Sequence, residues 1–218
     1  MNHPGNQTAA PTTSDDDLIV ELTDGVLVLT FNRPAARNAL TPTMLSRLRE
    51  EIARAEADPE VGCLLLTGAG GAFCAGGDVK AMAAAGKGGA APDPTIRMEQ
   101  QRASHRATSL RLYEMSKPTL AAIPGPAAGA GFSLALACDL RIGAESAVMT
   151  SAFVKVGLTG DYGGTYLLTQ LVGTGKAREL YLLGDKIDMA EAYRLGVVNW
   201  VVPDVELSAR ALDIALAA

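Results

Sequence analysis

The order of elements along this 218-residue chain predicts a layered α/β fold, a spiral of strand–strand–helix units. Three observations carry that expectation. Short β-type apolar runs alternate with segments of helical periodicity, and two glycine-rich turns each lie between a strand and a helix. No apolar run approaches the roughly 18–20 residues that a membrane-spanning helix needs.

Residues 1–17, polar and rich in Pro, Thr and Asp, read as a disordered tail. LIVEL and VLVLTF then form a hairpin across Thr23-Asp24-Gly25, and Asn32-Arg33-Pro34 ends its second strand. Thr41 as cap and Pro42 at the first helical position open a helix. Its Leu45, Leu48, Ile52 and Ala55 recur at helical spacing, and Asp58-Pro59 stops it. VGCLLLT is a buried strand. Glycine-rich residues 68–77 lead to a weak helix from Val79, and residues 86–95 read as a mobile surface loop. Residues 96–116 are helical, TLAAI is a strand, and PGPAAGAG turns into the helix FSLALAC. DLRIG and SAVMT are short strands. Helices around 164–172, 175–183 and 189–195 precede a last strand, VVNWVV, and another helix begins near Val205.

Composition narrows the function classes. A net charge of −5 argues against a nucleic-acid surface, which needs a basic stripe. Cys63, Cys74 and Cys138 are odd in number and lack metal-ligand spacing. With no charged-then-apolar leader, reduced thiols in a cytoplasmic protein are the economical reading.

The chemistry centres on glycine. Ala75-Gly76-Gly77-Asp78 and Gly129-Ala130-Gly131 each stand between a strand and a helix. Glycine allows positive φ and close backbone approach to a ligand, and a helix N-terminus adds unpaired N–H donors. Two such turns face to face would form an oxyanion hole, each donor worth about 3–4 kcal/mol to a developing enolate. Each could equally be only a turn. Neither matches a phosphate loop or a dinucleotide fingerprint.

Longer stretches go further. NRPAARNALTPTM, LLLTGAGGAFCAGGDVKAM, KPTLAAIPGPAAGAGFSLALACDLRI, GLTGDYGGTYLLTQLVG and ARELYLLGDKIDMAEAYRLGVVNWVVP together resemble the motifs of the crotonase (enoyl-CoA hydratase/isomerase) superfamily, in the family's order. The resemblance implies the crotonase-like (ClpP/crotonase) spiral over residues 18–204. Residues 205–218 would begin a C-terminal helical, trimerising region that family members usually continue. It also implies a trimer or dimer of trimers, a coenzyme A thioester substrate, and no cofactor beyond the coenzyme A that the substrate carries. No nucleic-acid or membrane partner is expected.

Carried over by position, the oxyanion donors are the N–H groups of Gly77 and Ala130, the latter standing where the family usually has glycine. Ala75, Asp78, Val79 and Lys80 would line the thioester and its pantetheine arm. Arg37 falls where relatives hold coenzyme A phosphates, although a solvated arginine fits as well, and Lys80 carries the same two readings.

The resemblance departs at the catalytic acids. Typical hydratases use two glutamates, and this chain has Ser133 and Phe153 at those places. Asp161 remains, in a turn that resembles the branch typified by 1,2-epoxyphenylacetyl-CoA isomerase. With Phe153 and Tyr162 close by, its carboxyl pKa should rise, and one carboxylate can move a proton between carbons. The expected activity is therefore an enoyl-CoA isomerase working through Asp161. A hydratase of low or altered activity and a non-catalytic acyl-CoA binder are the alternatives. The alternative reading of Asp161 is as a cap of the following helix. It could also serve as a dehalogenase nucleophile, but the partner histidine's place aligns with Leu110, and His105 reads as a surface or interface residue. Asp139 reads as structural, Trp200 and Tyr193 as packing, and Met82 and Met98 as core or acyl-pocket residues.

Overall fold

The computed structural model describes residues 17–78 and 93–218. The tail except Asp17, the helix expected from Val79, Met82 and most of the 86–95 loop lie outside those residues. In chain order the strands are β1 (Leu18–Thr23), β2 (Val26–Phe31), β3 (Cys63–Gly68), β4 (Thr119–Ile123), β5 (Ala127–Ala128), β6 (Leu140–Ala144), β7 (Val148–Thr150), β8 (Ile187–Asp188) and β9 (Trp200–Val202). One sheet runs β1-β2-β3-β4-β6-β9 and a smaller one β5-β7-β8. Only β1 pairs antiparallel in the large sheet, joined to β2 by Asp24 and Gly25, both at positive φ. β3 and β4 are buried on both faces, as parallel central strands must be, and their runs CLLL and TLAAI meet that demand.

Helix α1 (Pro42–Ala57) opens as expected, with Thr41 Oγ1 accepting from the Met44 N–H at 3.0 Å. Met44, Leu48, Ile52 and Ala55 enter the core, whereas Leu45 is half-buried and turns toward a cavity. Helix α2 (Pro94–His105) runs into a π-helical segment, Arg106–Leu110, and one last α-turn, Arg111–Tyr113. The widened segment is fed by side-chain hydroxyls: Thr108 donates to the Ser104 carbonyl at 2.8 Å and Ser109 to that of His105 at 3.2 Å.

Helix α3 (Ala130–Ala137) is buried on every side. The two helices expected after residue 164 are both present within the segment labelled α4 (Gly164–Leu183), separated by a kink at non-helical Gly173. Short α5 (Met189–Arg194) precedes β9. Helix α6 (Leu207–Ala217) buries Leu207, Ala211, Ile214 and Ala215 against β3 and β4. Trp200 packs on the core as expected, but Tyr193 and Met98 are exposed because their helices turn those positions to solvent. Among the described residues no helix is long and apolar enough to cross a membrane.

Candidate active site

A buried asparagine shapes the first turn. Asn38 Nδ2 donates to the carbonyls of Ala69 (2.9 Å) and Ala72 (2.7 Å), while its Oδ1 accepts from the Arg33 N–H at 2.8 Å. The loop so held does not leave β3 directly for the glycines. Cys74 first bridges to Ala127 in β5, so the turn is tied to both sheets rather than to the end of one strand. Leu40 N–H donates to the Gly76 carbonyl at 2.8 Å, and Ala75 N–H to that of Arg37 at 2.9 Å.

The second turn is pressed against the first. A Cβ on Gly76 would lie 2.9 Å from the Ala128 oxygen and 3.2 Å from the Ala130 nitrogen. One on Gly131 would lie 2.3 Å from the Cys74 oxygen. Glycine is required at both places for close approach, and Gly129 is required for its φ of 54° with ψ −122°. Ala130 is the first residue of α3 and is not in the left-handed region, so a methyl costs nothing there. Its N–H is one of the donors that a helix start leaves without an intrahelical partner.

Both turns open onto one cavity of about 650 Å³, lined by Ala75, Gly76, Gly77, Asp78, Gly129 and Ala130. Phe153, Asp161 and Tyr162 line the same cavity, Phe153 close against Gly129, with Leu40, Leu45, Val156 and Leu158 completing an apolar wall. Burial raises the Asp161 carboxyl pKa to about 6. Its Oδ1 is sealed from solvent and has no hydrogen-bond partner among the described residues. The backbone is strained on either side of the acid: Ala152 and Tyr162 adopt positive φ, at about 1–3 kcal/mol each. Such an arrangement can hold an oxyanion on main-chain amides and exchange a proton near neutral pH.

The expected site residues are thus largely brought together: Gly77, Ala130, Ala75, Asp78, Phe153, Asp161 and Tyr162 share the cavity. Asp78 also pairs with Arg33 at 3.6 Å. Arg37 is exposed, is not among the lining residues, and touches the site through its carbonyl. Val79 and Lys80 lie outside the described residues. Asp139 is structural as expected, its Oδ2 accepting from the Thr119 N–H and hydroxyl at 2.8 Å.

Two expectations are corrected. Asp161 does not cap α4: Gly163 holds the N-cap position without a side-chain bond, and Asp161 offers only its carbonyl to the Gly164 N–H. His105, expected at a surface or interface, is half-buried: helix α2 lies beside the cavity, and the His105 ring lies tilted by 40° against Tyr162, with centroids 4.2 Å apart. Burial lowers its pKa, which favours the neutral ring. Leu110, which the motif alignment set in the dehalogenase histidine's place, is partly exposed and does not line this cavity. Sequence reasoning missed Asn38, Ser104 and Gln101. Only Asn38, in the NRPAARNAL stretch, carried a signal that could have found it.

The chain is similar to known proteins over most of its length. The enoyl-CoA hydratase/isomerase family profile matches residues 21–217. The 1,2-epoxyphenylacetyl-CoA isomerase of Escherichia coli K12 is 39% identical over 191 residues, covering 88% of this chain and 71% of that protein. A 4-chlorobenzoyl coenzyme A dehalogenase of an Arthrobacter species is 35% identical over 202 residues, covering 93% and 72%. The crystal structure of an enoyl-CoA hydratase from Polaromonas sp. JS666 superposes with a TM-score of 0.82 at 33% identity, covering 91% of this chain and 75% of that one.

Proposed function

The chain belongs to the enoyl-CoA hydratase/isomerase family of acyl-CoA enzymes, and from that premise we propose that it is an enoyl-CoA isomerase that uses Asp161 as its single acid/base. The observation that carries this reading is a carboxyl, pKa raised to about 6, lining the same largely apolar cavity as two interlocked glycine turns. The thioester carbonyl would accept from the N–H groups of Gly77 and Ala130. Asp161 would then remove a proton from one carbon of the acyl chain, leaving a dienolate whose negative charge rests on the held oxygen. Returning the same proton to another carbon shifts the double bond, with no net change in atoms. Ser133 and Phe153 supply no second carboxylate, so delivery of water by a glutamate pair is not available. Ala75 and Asp78 flank the thioester in this reading. Phe153 and Tyr162 bound the acyl group. Arg37, Val79 and Lys80 are assigned to the coenzyme A moiety, and a homotrimer or dimer of trimers is the assembly we expect.

Incubation with trans-2-enoyl-CoA and with cis- and trans-3-enoyl-CoA tests the assignment. Interconversion of the enoyl isomers without 3-hydroxyacyl-CoA supports it. Accumulation of the hydroxy product would establish a hydratase instead, and tight binding without turnover of any enoyl-CoA an acyl-CoA binder.

One observation favours a second reading. His105 lines the same cavity as Asp161, which restores the histidine that a dehalogenase-type displacement requires. In that chemistry the Asp161 carboxylate would attack an aryl carbon and expel halide, and His105 would help water cleave the resulting ester. Halide release from a 4-halobenzoyl-CoA, lost in both Asp161→Asn and His105→Gln, would select it.

A further inference from the structure

His105 and Tyr162 also line a second cavity, of about 320 Å³, which the chemistry above does not use. The two rings therefore form a wall common to both spaces, with their centroids 4.2 Å apart. In size the second cavity falls at the low end of small-molecule sites.

Its charge is one-sided. Arg102 and Arg106, one helical turn apart, both line it, and no acidic residue among the described ones does. Neither guanidinium closes an ion pair or a hydrogen bond with a described residue. The chain carries 24 acidic residues against 19 Lys and Arg, so two neighbouring arginines left unpaired at one cavity are not the default of its composition. Gly163 brings the start of α4 to the same lining. It holds the N-cap without a side-chain bond, which adds the positive end of a helix to the two cations.

The rest of the lining is largely aromatic. Tyr113 and Tyr166 meet edge to face, with centroids at 6.2 Å and planes at 89°, and join His105 and Tyr162 around the space. Rings and guanidinium planes together suit a flat ligand. Arg106 and buried Ser109 belong to the π-helical segment, a rare conformation that recurs at functional sites.

We propose that the second cavity is a binding site for a small aromatic carboxylate, separate from the acyl-CoA site. The carboxylate accepts from the Arg102 and Arg106 guanidinium groups, whose planar forks match its two oxygens. The ring of the ligand lies among the tyrosines. Because His105 and Tyr162 belong to both walls, the ligand rests on side chains that also bound the acyl group. The site is independent of which reaction Asp161 serves.

The test uses the full chain and benzoate as the probe. The chain has two histidines, His3 and His105, and the His105 ring signals are assigned in proton NMR by their loss in His105→Gln. Benzoate should shift them saturably, with Kd at or below about 1 mM. The double variant Arg102→Gln/Arg106→Gln should weaken that binding at least about tenfold. Both side chains are exposed, so urea unfolding of the variant should match the parent. Benzyl alcohol, which keeps the ring and lacks the charge, should also bind at least about tenfold more weakly than benzoate. Benzoate should stay bound when acetyl-CoA or decanoyl-CoA occupies the first cavity. Absence of saturable binding, full affinity in the double variant, or equal affinity for benzyl alcohol would each overturn the proposal. Displacement by acetyl-CoA overturns it too, since benzoate would then sit in the acyl-CoA site. Displacement by decanoyl-CoA alone does the same, making the second cavity an extension for a long acyl chain.

Discussion

Replacing Asp161 by Asn should make the protein more stable at alkaline pH while abolishing its chemistry. The carboxyl titrates near 6 in the folded chain and near 3.8 when unfolded, because burial penalises the charged form. Between those values the folded state retains a proton that the unfolded state has released. Stability must therefore fall as pH rises through that window, and the loss is complete above about 6. At 1.36 kcal/mol per pH unit the gap is worth at most about 3 kcal/mol. Solvent reaching the cavity mouth reduces it, so about 1–2 kcal/mol is expected, or roughly 3–6 °C in Tm for a chain of this length. Asn is nearly isosteric and never charges. Urea unfolding of both proteins at several pH values should give curves that converge near pH 4 and separate by pH 8, with Asn the more stable. Turnover should fall about 10²–10⁴-fold at the same time. A variant less stable than the parent at pH 8, or a gap that ignores pH, would refute the claim that Asp161 is held charged at a cost. That is the result expected had its charge served to cap α4.

Other perturbations address the frame and the competing chemistries. With Asp161 as base, kcat/KM for the double-bond shift should drop about tenfold per pH unit below about 6, read from initial rates across buffers. Gly131→Ala sets a methyl 2.3 Å from the Cys74 oxygen and must separate the two turns. A loss of about 1–3 kcal/mol in urea unfolding, and of about 10²-fold in rate, should follow. Asn38→Ala strips partners from the Ala69 and Ala72 carbonyls and the Arg33 N–H, and should cost about 2–4 kcal/mol by the same unfolding assay. His105→Gln should leave isomerisation within about threefold and abolish any halide release from a 4-halobenzoyl-CoA, because only the displacement route asks the ring to activate water.

Much of the frame is legible in the letters because its causes are local. The Asp24-Gly25 turn, the Thr41 cap before Pro42 and the double-sided apolar runs of β3 and β4 each state their conformation within a few residues. The break at Gly173 is legible too, since glycine at φ 75° separates the helices on its two sides. The π-helical segment is not legible, because its widened turn depends on how Thr108 and Ser109 bond back once α2 is packed.

The site divides along the same line. Gly77, Ala130 and Asp161 could be found because motif order fixes them, and burial, the cause of the raised Asp161 pKa, is foreshadowed by Phe153 and Tyr162, which line the same cavity from the same segment. His105 was misjudged because α2 has no buried residue, so no periodicity says which way the helix faces. Its ring is brought into the cavity by Tyr162, a partner remote in sequence and held at positive φ. Tyr181 is the sharper case. It lies in a helix whose spacing speaks only of packing, and its placement is recorded in two glycines, 160 and 164, whose missing side chains leave room for the phenol. Glycine at a turn is usually explained by backbone conformation, and Gly160 at φ 109° satisfies that explanation. Gly164 does not: it is helical, and its missing Cβ is accounted for by the Ser133 and Tyr181 hydroxyls that occupy the space. Gly164, a helical glycine that no dihedral requires, therefore marks the place where α3 and the far end of α4 bring two hydroxyls together.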